Sequence, residues 1–227
     1  MKVIAVVQAR MGSTRLRGKS LMKIAKYTLL ETVVNSIRRN HFIDDVVIAT
    51  TNMSQDDAIE KLCIEKDFKF FRGDSDDVLS RFISIAKMYS EDDIIVRVTA
   101  DNPINNHKIS DVLYKYHVNE GNDYSYIKGL SHTVYEFMNV KSLLRLKLVD
   151  DLVNDDKEHV TMYFRKGNKF KIDSLIPNKY VLDSKKDKLL TIDSQEDLDR
   201  FMKLKKKIDL DSAVDFNELY EILDRLH

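Results

Sequence analysis

The sequence predicts an α/β fold: a mostly parallel central sheet with helices on both faces. Three observations carry this. Nearly all-apolar runs recur at residues 3–7 (VIAVV), 46–49 (VVIA) and 94–98 (IIVRV). Such runs suit strands covered on both sides, because a half-exposed strand would alternate. Segments with apolar residues at helical spacing separate these runs. Each run also ends in a polar loop, and in a parallel sheet those loops share the carboxyl edge, where ligands bind.

The elements follow in order. After the first strand, Thr28 and Glu31 fit a capping box, and Leu30, Val33, Val34 and Ile37 follow at helical spacing. The second strand, 46–49, ends in Thr50, Thr51 and Asn52; Ser54 then suits the cap of a helix with Ala58, Ile59, Leu62 and Cys63 inward. Residues 68–71 read as a third strand. A turn at 72–77 leads into a helix with Val78, Phe82, Ile85 and Met88 inward. The fourth strand ends in Thr99, Ala100, Asp101, Asn102 and Pro103.

From Gly121 the rhythm changes. Residues 124–127 and 133–138 read as strands, and Asn139 suits the cap of a helix through Leu143, Leu144, Leu146 and Leu148. A helix at 155–166 and a strand at 170–176 follow. Residues 189–192 form an apolar run ending in Asp193, Ser194 caps a helix with Leu198, Phe201 and Met202 inward, and the last helix uses Phe216, Leu219, Tyr220, Leu223 and Leu226. With no repeat or low-complexity linker, residues 1–227 read as one domain with an antiparallel insertion at 121–180.

Composition narrows the function classes. The chain has 227 residues, 43% hydrophobic, and its 37 Lys+Arg balance 37 Asp+Glu. A neutral total argues against a general nucleic-acid or membrane-surface binder. Cys63 is the only cysteine, so no intrachain disulfide forms, as suits a reducing compartment. No apolar run reaches membrane-spanning length, and the expected location is cytoplasmic.

The first loop carries the chemistry. It holds Arg10, Gly12, Ser13, Thr14, Arg15, Arg17, Gly18 and Lys19 immediately after a buried strand. Such loops present backbone N–H groups and cations to a polyphosphate. It is not a P-loop: five residues separate Gly12 from Gly18, where that motif has four. Asp101 and Asp193 each follow a predicted buried strand, so both reach one sheet edge. Mg²⁺ takes one or two carboxylates plus phosphate oxygens, which this pair suits. An Asx turn at Asp101 and a helix cap at Asp193 are the structural alternatives.

QARMGSTRLRGKSL at 8–21 resembles the signature of cytidylyltransferases that activate acidic sugars, the keto-deoxy-octulosonate and acylneuraminate types, and most of all their spore-coat-polysaccharide branch. RGDSDDVLSRF at 72–82, VRVTADNP at 96–103, KEHVT at 157–161 and LLTIDSQEDL at 189–198 follow in the family's order. The resemblance implies a glycosyltransferase-A-like (Rossmann-like) nucleotidyltransferase fold, CTP and Mg²⁺, attack of a sugar oxygen on the α-phosphate, release of pyrophosphate, and a homodimer contacting through 121–180. By position it implies Arg10 and Lys19 as the catalytic cations. Gln8, Ala9, Gly12, Ser13, Arg15, Arg72, Asp77 and Thr99 fall to the nucleotide. Glu136, Glu158 and His159 fall to a sugar-acid or phosphorylated acceptor, and Asp101 and Asp193 to the metal. Arg17 stands where the family has proline, Ala100 and Asn102 replace the glycine and cysteine of G-D-C-P, and Ala25, Lys26 and Tyr27 replace Gly-Lys-Pro. A nucleotide-sugar-dependent glycosyltransferase and a non-catalytic nucleotide-binding subunit are the alternative readings.

Overall fold

A computed structural model describes residues 1–166, 169–175, 183–210, 212 and 214–225. The chain opens with β1 (Val3–Gln8). A hairpin of β2 (Lys23–Ile24) and β3 (Tyr27–Thr28) follows and leads into α1 (Leu29–Arg38). The capping box is made: Thr28 Oγ1 accepts from the Glu31 N–H at 3.2 Å, and Glu31 Oε2 accepts from the Thr28 N–H at 2.8 Å. Next come β4 (Asp45–Thr51), α2 (Asp57–Glu65), β5 (Lys69–Gly73), α3 (Val78–Ala86) and β6 (Ile94–Thr99).

β5, β4, β1 and β6 lie side by side and parallel. Alternate residues of β1 feed opposite layers. Val3, Ala5 and Val7 join Val33, Ile37 and Ile59 on one face, while Ile4 and Val6 join Phe82, Ile85 and Leu143 on the other. Each fully buried aliphatic side chain contributes roughly 1.5–3 kcal/mol, so both helical layers are needed to cover this strand. The expected two-sided sheet is therefore present.

Helix α4 (His107–Glu120) was not foreseen in the sequence. Only Ile109, Ser110, Leu113 and His117 are buried along it, so its apolar stripe is thin. Its ends are conventional: Asn106 Oδ1 accepts from the Ile109 N–H at 3.2 Å, and Gly121 closes the helix at φ 60°.

The second half extends the same sheet. β7 (Tyr124–Ile127), β8 (Glu136–Asn139), α5 (Val140–Arg145), α6 (Asn154–His159) and β9 (Ile172–Leu175) follow α4. The sheet order is β5-β4-β1-β6-β8-β7-β9, and β8 runs antiparallel to both its neighbours. The antiparallel character expected at 121–180 thus resides in β8, within the main sheet. The chain ends with α7 (Ser184–Leu189), α8 (Gln195–Lys205) and α9 (Phe216–Asp224). Phe201, Leu204, Leu219 and Leu223 of α8 and α9 pack with Leu16, Ile104 and Ile192 in a third core.

Several local expectations are corrected. Ser54 opens a 3₁₀ turn, and α2 is capped at Asp56, whose carboxylate is committed elsewhere. Ala58 is exposed, and Met88 lies beyond α3 and is 59% exposed. The helix holding Leu143 stops at Arg145, a 3₁₀ turn continues it, and Leu148 is 80% exposed. The helix expected at 155–166 ends at His159, because Val160 takes φ 58°, ψ −54°. Residues 189–192 are no strand: Leu189 closes α7 and the rest is irregular. Ile176 and Leu226 lie outside the described residues.

Candidate active site

The loop after β1 is pinned from beneath. Asp56 is fully buried; its Oδ1 accepts from the Met11 N–H at 2.6 Å, and its Oδ2 takes the Thr51 hydroxyl. The Gly18 N–H donates to the Met11 carbonyl at 3.0 Å, and Ser20 Oγ donates to the Arg10 carbonyl at 3.3 Å. Gly18 needs its φ of 71° to close this turn. Leu16 is buried in the third core and anchors the middle of the loop. The N–H groups of Gly12, Ser13, Thr14 and Arg15 donate to nothing among the described residues. The loop is held by its carbonyls and its ends, and leaves these donors for a ligand.

A cavity of about 950 Å³ lies over this loop at the carboxyl edge of β1 and β6. Gln8, Ala9, Arg10, Ser13, Arg15 and Lys19 form its floor. Thr99, Asp101 and Asp193 stand on one side, and Asp74 to Asp77 with Arg81 on another. Asn154, Lys157, Glu158 and His159 of α6 line the remaining wall.

Asp101 and Asp193 meet although Asp193 follows no strand. The Ile192 N–H donates to the Asp101 carbonyl at 3.0 Å, tying the irregular segment to the β6 loop. Asn102 adds a second tie: its amide donates to Thr99 Oγ1 at 2.6 Å, and its Oδ1 accepts from Thr191 Oγ1 at 2.8 Å. Asparagine at this departure from the family pattern therefore stitches together the two segments that carry the acids. Lys19 Nζ then donates to Asp101 Oδ2 and Asp193 Oδ1, each at 2.7 Å, and to the Ile192 carbonyl at 3.0 Å. Burial alone would raise the Asp101 carboxyl, but the charge and hydrogen bond of Lys19 hold it below its ordinary value. Arg15 Nη2 donates to the other Asp193 oxygen at 2.7 Å, from an exposed position.

Three predicted residues fall elsewhere. Arg72 belongs to β5, opposite Thr50, not to the turn. Its guanidinium is committed to Asp57, Glu60 and the carbonyls of Thr51 and Met53. Gly12 does not line the cavity; a Cβ there would meet Gln55 Nε2 at 2.8 Å. Glu136 is buried behind the site, between Arg97 at 3.0 Å and Arg165 at 2.6 Å, and accepts from Tyr124 at 2.7 Å and Thr161 at 3.1 Å. Its acceptor role is thereby displaced by a structural one. Arg17 is exposed and stands outside the cavity lining.

Sequence reading missed Arg81. It is 2% exposed, yet it lines the cavity, and its Nε and Nη1 find no hydrogen-bond partner. Burial and the nearby Arg10 charge push its guanidinium below the usual arginine range. Leaving buried donors unpaired costs about 1–3 kcal/mol per group. The available signal was an arginine on the apolar face of α3, one position before Phe82. Gln8 Oε1 is likewise buried and unpaired in the cavity floor.

An open donor loop, uncommitted cations and a carboxylate pair at the carboxyl edge of a parallel sheet define an α/β enzyme that handles nucleoside phosphates. A family model described as Cytidylyltransferase matches residues 4–219, and the chain belongs to that family. It is a CTP-dependent nucleotidyltransferase, moving CMP from CTP. The chain is 32% identical over 230 residues to the spore coat polysaccharide biosynthesis protein SpsF of Bacillus subtilis, covering 98% of this chain and 94% of that one. It is 28% identical over 102 residues to a 3-deoxy-manno-octulosonate cytidylyltransferase of Leptospira interrogans, covering 45% and 40%. A cytidylyltransferase structure from Leptospira borgpetersenii superposes with a TM-score of 0.84 at 26% identity, over 99% of this chain and 94% of that one. Among the described residues, no helix is long and apolar enough to cross a membrane.

Proposed function

We propose that the chain transfers CMP from CTP to an acidic sugar or a related phosphorylated acceptor, with surface-glycan synthesis as its setting. One observation carries the acceptor side: Lys157, Glu158 and His159 of α6 line the same cavity as the phosphate loop. A cation beside hydrogen-bonding groups suits an acceptor with both hydroxyls and an acid. The likeness to SpsF and to 3-deoxy-manno-octulosonate cytidylyltransferases supports the same reading.

In this reading Gln8, Ala9, Thr99 and the Asp74–Asp77 turn flank the nucleoside. The free amides of Ser13 to Arg15, with Arg10, Arg15 and Arg81, hold the triphosphate in line for attack on the α-phosphorus. Their charge stabilises the departing pyrophosphate, and positioning supplies most of the rate. Asp101 and Asp193 would hold Mg²⁺. Two carboxylates already gathered on one cation suit that hard ion. Among the described residues no cluster of three or more His, Cys, Asp or Glu competes for it. When bound, the metal would supply charge neutralisation on the phosphate oxygens. No side chain acts as a nucleophile. A cytoplasmic homodimer, contacting through 121–180, belongs to the same reading; Leu148, Val153 and Met162 are exposed apolar residues there.

The test is pyrophosphate release from CTP and Mg²⁺ with a panel of acidic sugars and phosphorylated polyols. Turnover with one acceptor class, lost in Asp101→Asn, is expected. CTP binding without release for any acceptor would leave the chain a nucleotide-binding subunit. Light scattering gives the oligomeric state.

A further inference from the structure

The Lys19 ammonium has three N–H groups and meets three acceptors, Asp101 Oδ2, Asp193 Oδ1 and the Ile192 carbonyl. Its hydrogen-bonding capacity is complete. From this position it cannot also grip a phosphate, although the family pattern points it at one. Its side chain is only 12% exposed, and the Gly18 and Leu16 anchors fix the start of its stem. A divalent cation held by both carboxylates would have to compete with this ammonium for them. A lysine nitrogen 2.7 Å from both leaves no seat for a second cation between them, and two cations in contact there would repel.

We propose that Lys19 is the resident cation of the Asp101–Asp193 pair, and that a divalent metal enters only by displacing it. The nucleotide part of this rests on the CMP-transfer reading; the exclusion between lysine and metal does not. Without nucleotide, the displaced ammonium leaves three acceptors for none, so the metal-bound form is disfavoured. A triphosphate changes the balance twice. It offers the released ammonium anionic oxygens, and it adds oxygen ligands to the metal. Metal and nucleotide binding are then coupled through one side chain, and Lys19 reaches the phosphates only once the metal has taken its place. Until then the lysine keeps the two carboxylates together without a metal, so the pair does not spring apart. Arg15 holds the other Asp193 oxygen from outside and need not move.

The experiment titrates Mn²⁺ into nucleotide-free protein and reads free Mn²⁺ by electron paramagnetic resonance. Lys19→Met is expected to bind Mn²⁺ about tenfold or more tighter than wild type, and CTP to narrow the gap. Adding Asp101→Asn to Lys19→Met should abolish the gain, which places the ion at this pair. Equal or weaker Mn²⁺ binding by a folded Lys19→Met overturns the proposal. A wild-type readout avoids dependence on the variant: acylation of Lys19, followed by mass spectrometry, should speed up as Mn²⁺ saturates the protein without nucleotide. Unchanged labelling at saturating Mn²⁺ also overturns it. Neither measurement requires CTP, so failure of the CMP-transfer reading is seen separately, in the pyrophosphate assay.

Discussion

A methyl group on Gly73 would stand 2.8 Å from Cγ of Arg81 and 3.0 Å from Phe71 Cε1. The last residue of β5 is therefore bare so that the stem of Arg81 can cross it on the way to the cavity. Gly73→Ala should push that stem aside. The core cost of such overpacking is about 1–3 kcal/mol. The KM for CTP should rise about three- to tenfold, as for the weakening of a contact by the worth of one ordinary hydrogen bond. Steady-state kinetics and a thermal melt on the same preparation separate the two effects. A normal KM would mean that Arg81 does not touch the nucleotide.

Arg81→Met separates stability from function. The wild-type side chain buries two unpaired nitrogens, Nε and Nη1, and methionine removes that cost while keeping most of the volume. The variant should melt higher, by roughly 2–4 °C for each kcal/mol recovered. CTP binding, read by calorimetry, should weaken about tenfold or more, since a buried charge facing phosphate is lost. A lower melting temperature with intact CTP binding would make Arg81 a structural residue.

Val160 sits at φ 58° directly after His159, and the Thr161 N–H reaches back to the His159 carbonyl at 2.5 Å. A β-branched residue in such a turn stores roughly 1–3 kcal/mol of strain. Its fully buried side chain returns about 1.5–3 kcal/mol. The two nearly cancel, so Val160→Gly should change stability little. It should instead loosen the wall of α6. The KM for the acceptor should rise with the KM for CTP unchanged; equal rises in both would contradict this division of the cavity.

Mild acid should weaken the fold through a buried histidine. His117 is 1% exposed, and burial pushes its pKa down to about 4. Its ring nitrogens meet Ser125 Oγ at 2.9 Å and Asn139 Oδ1 at 3.1 Å. The unfolded chain takes up this proton near pH 6.5 and the folded one only near 4. Stability is therefore complete above the first value and falls as pH drops between them, by on the order of 3 kcal/mol at the acid end. Urea melts from pH 7.5 to 5 should show the slope, and His117→Gln should reduce it by about half, because burial also pushes His107 down to about 4.

The parallel half of the sheet was legible because its strands are continuously apolar and α1 carries its cap in sequence at Thr28. Loop residues immediately after a strand, such as Arg10 and Asp101, could be placed at the carboxyl edge from topology alone. Arg72 could not. One residue of extra strand moves a side chain out of a turn and into a ladder, and no local pattern marks that difference. Glu136 was misread for a related reason: its partners Arg97, Tyr124 and Arg165 come from three distant segments. Asp193 was placed correctly on a wrong premise. The tertiary ties of Ile192 and Thr191 bring it to the site, where a strand was expected to do so.

The bond between Lys19 and Asp193 spans 174 positions of chain. On the ribosome, at about 5–20 residues per second, this separation corresponds to roughly ten to thirty-five seconds of synthesis. Asp101 is made 82 positions after Lys19, and from then on the phosphate loop and Asp101 exist while the segment that closes on them does not. Nascent chains stalled between residues 101 and 190 would carry an acid and an ammonium without the Asp193 partner. The site is thus completed only when a segment made long after the phosphate loop folds back onto it.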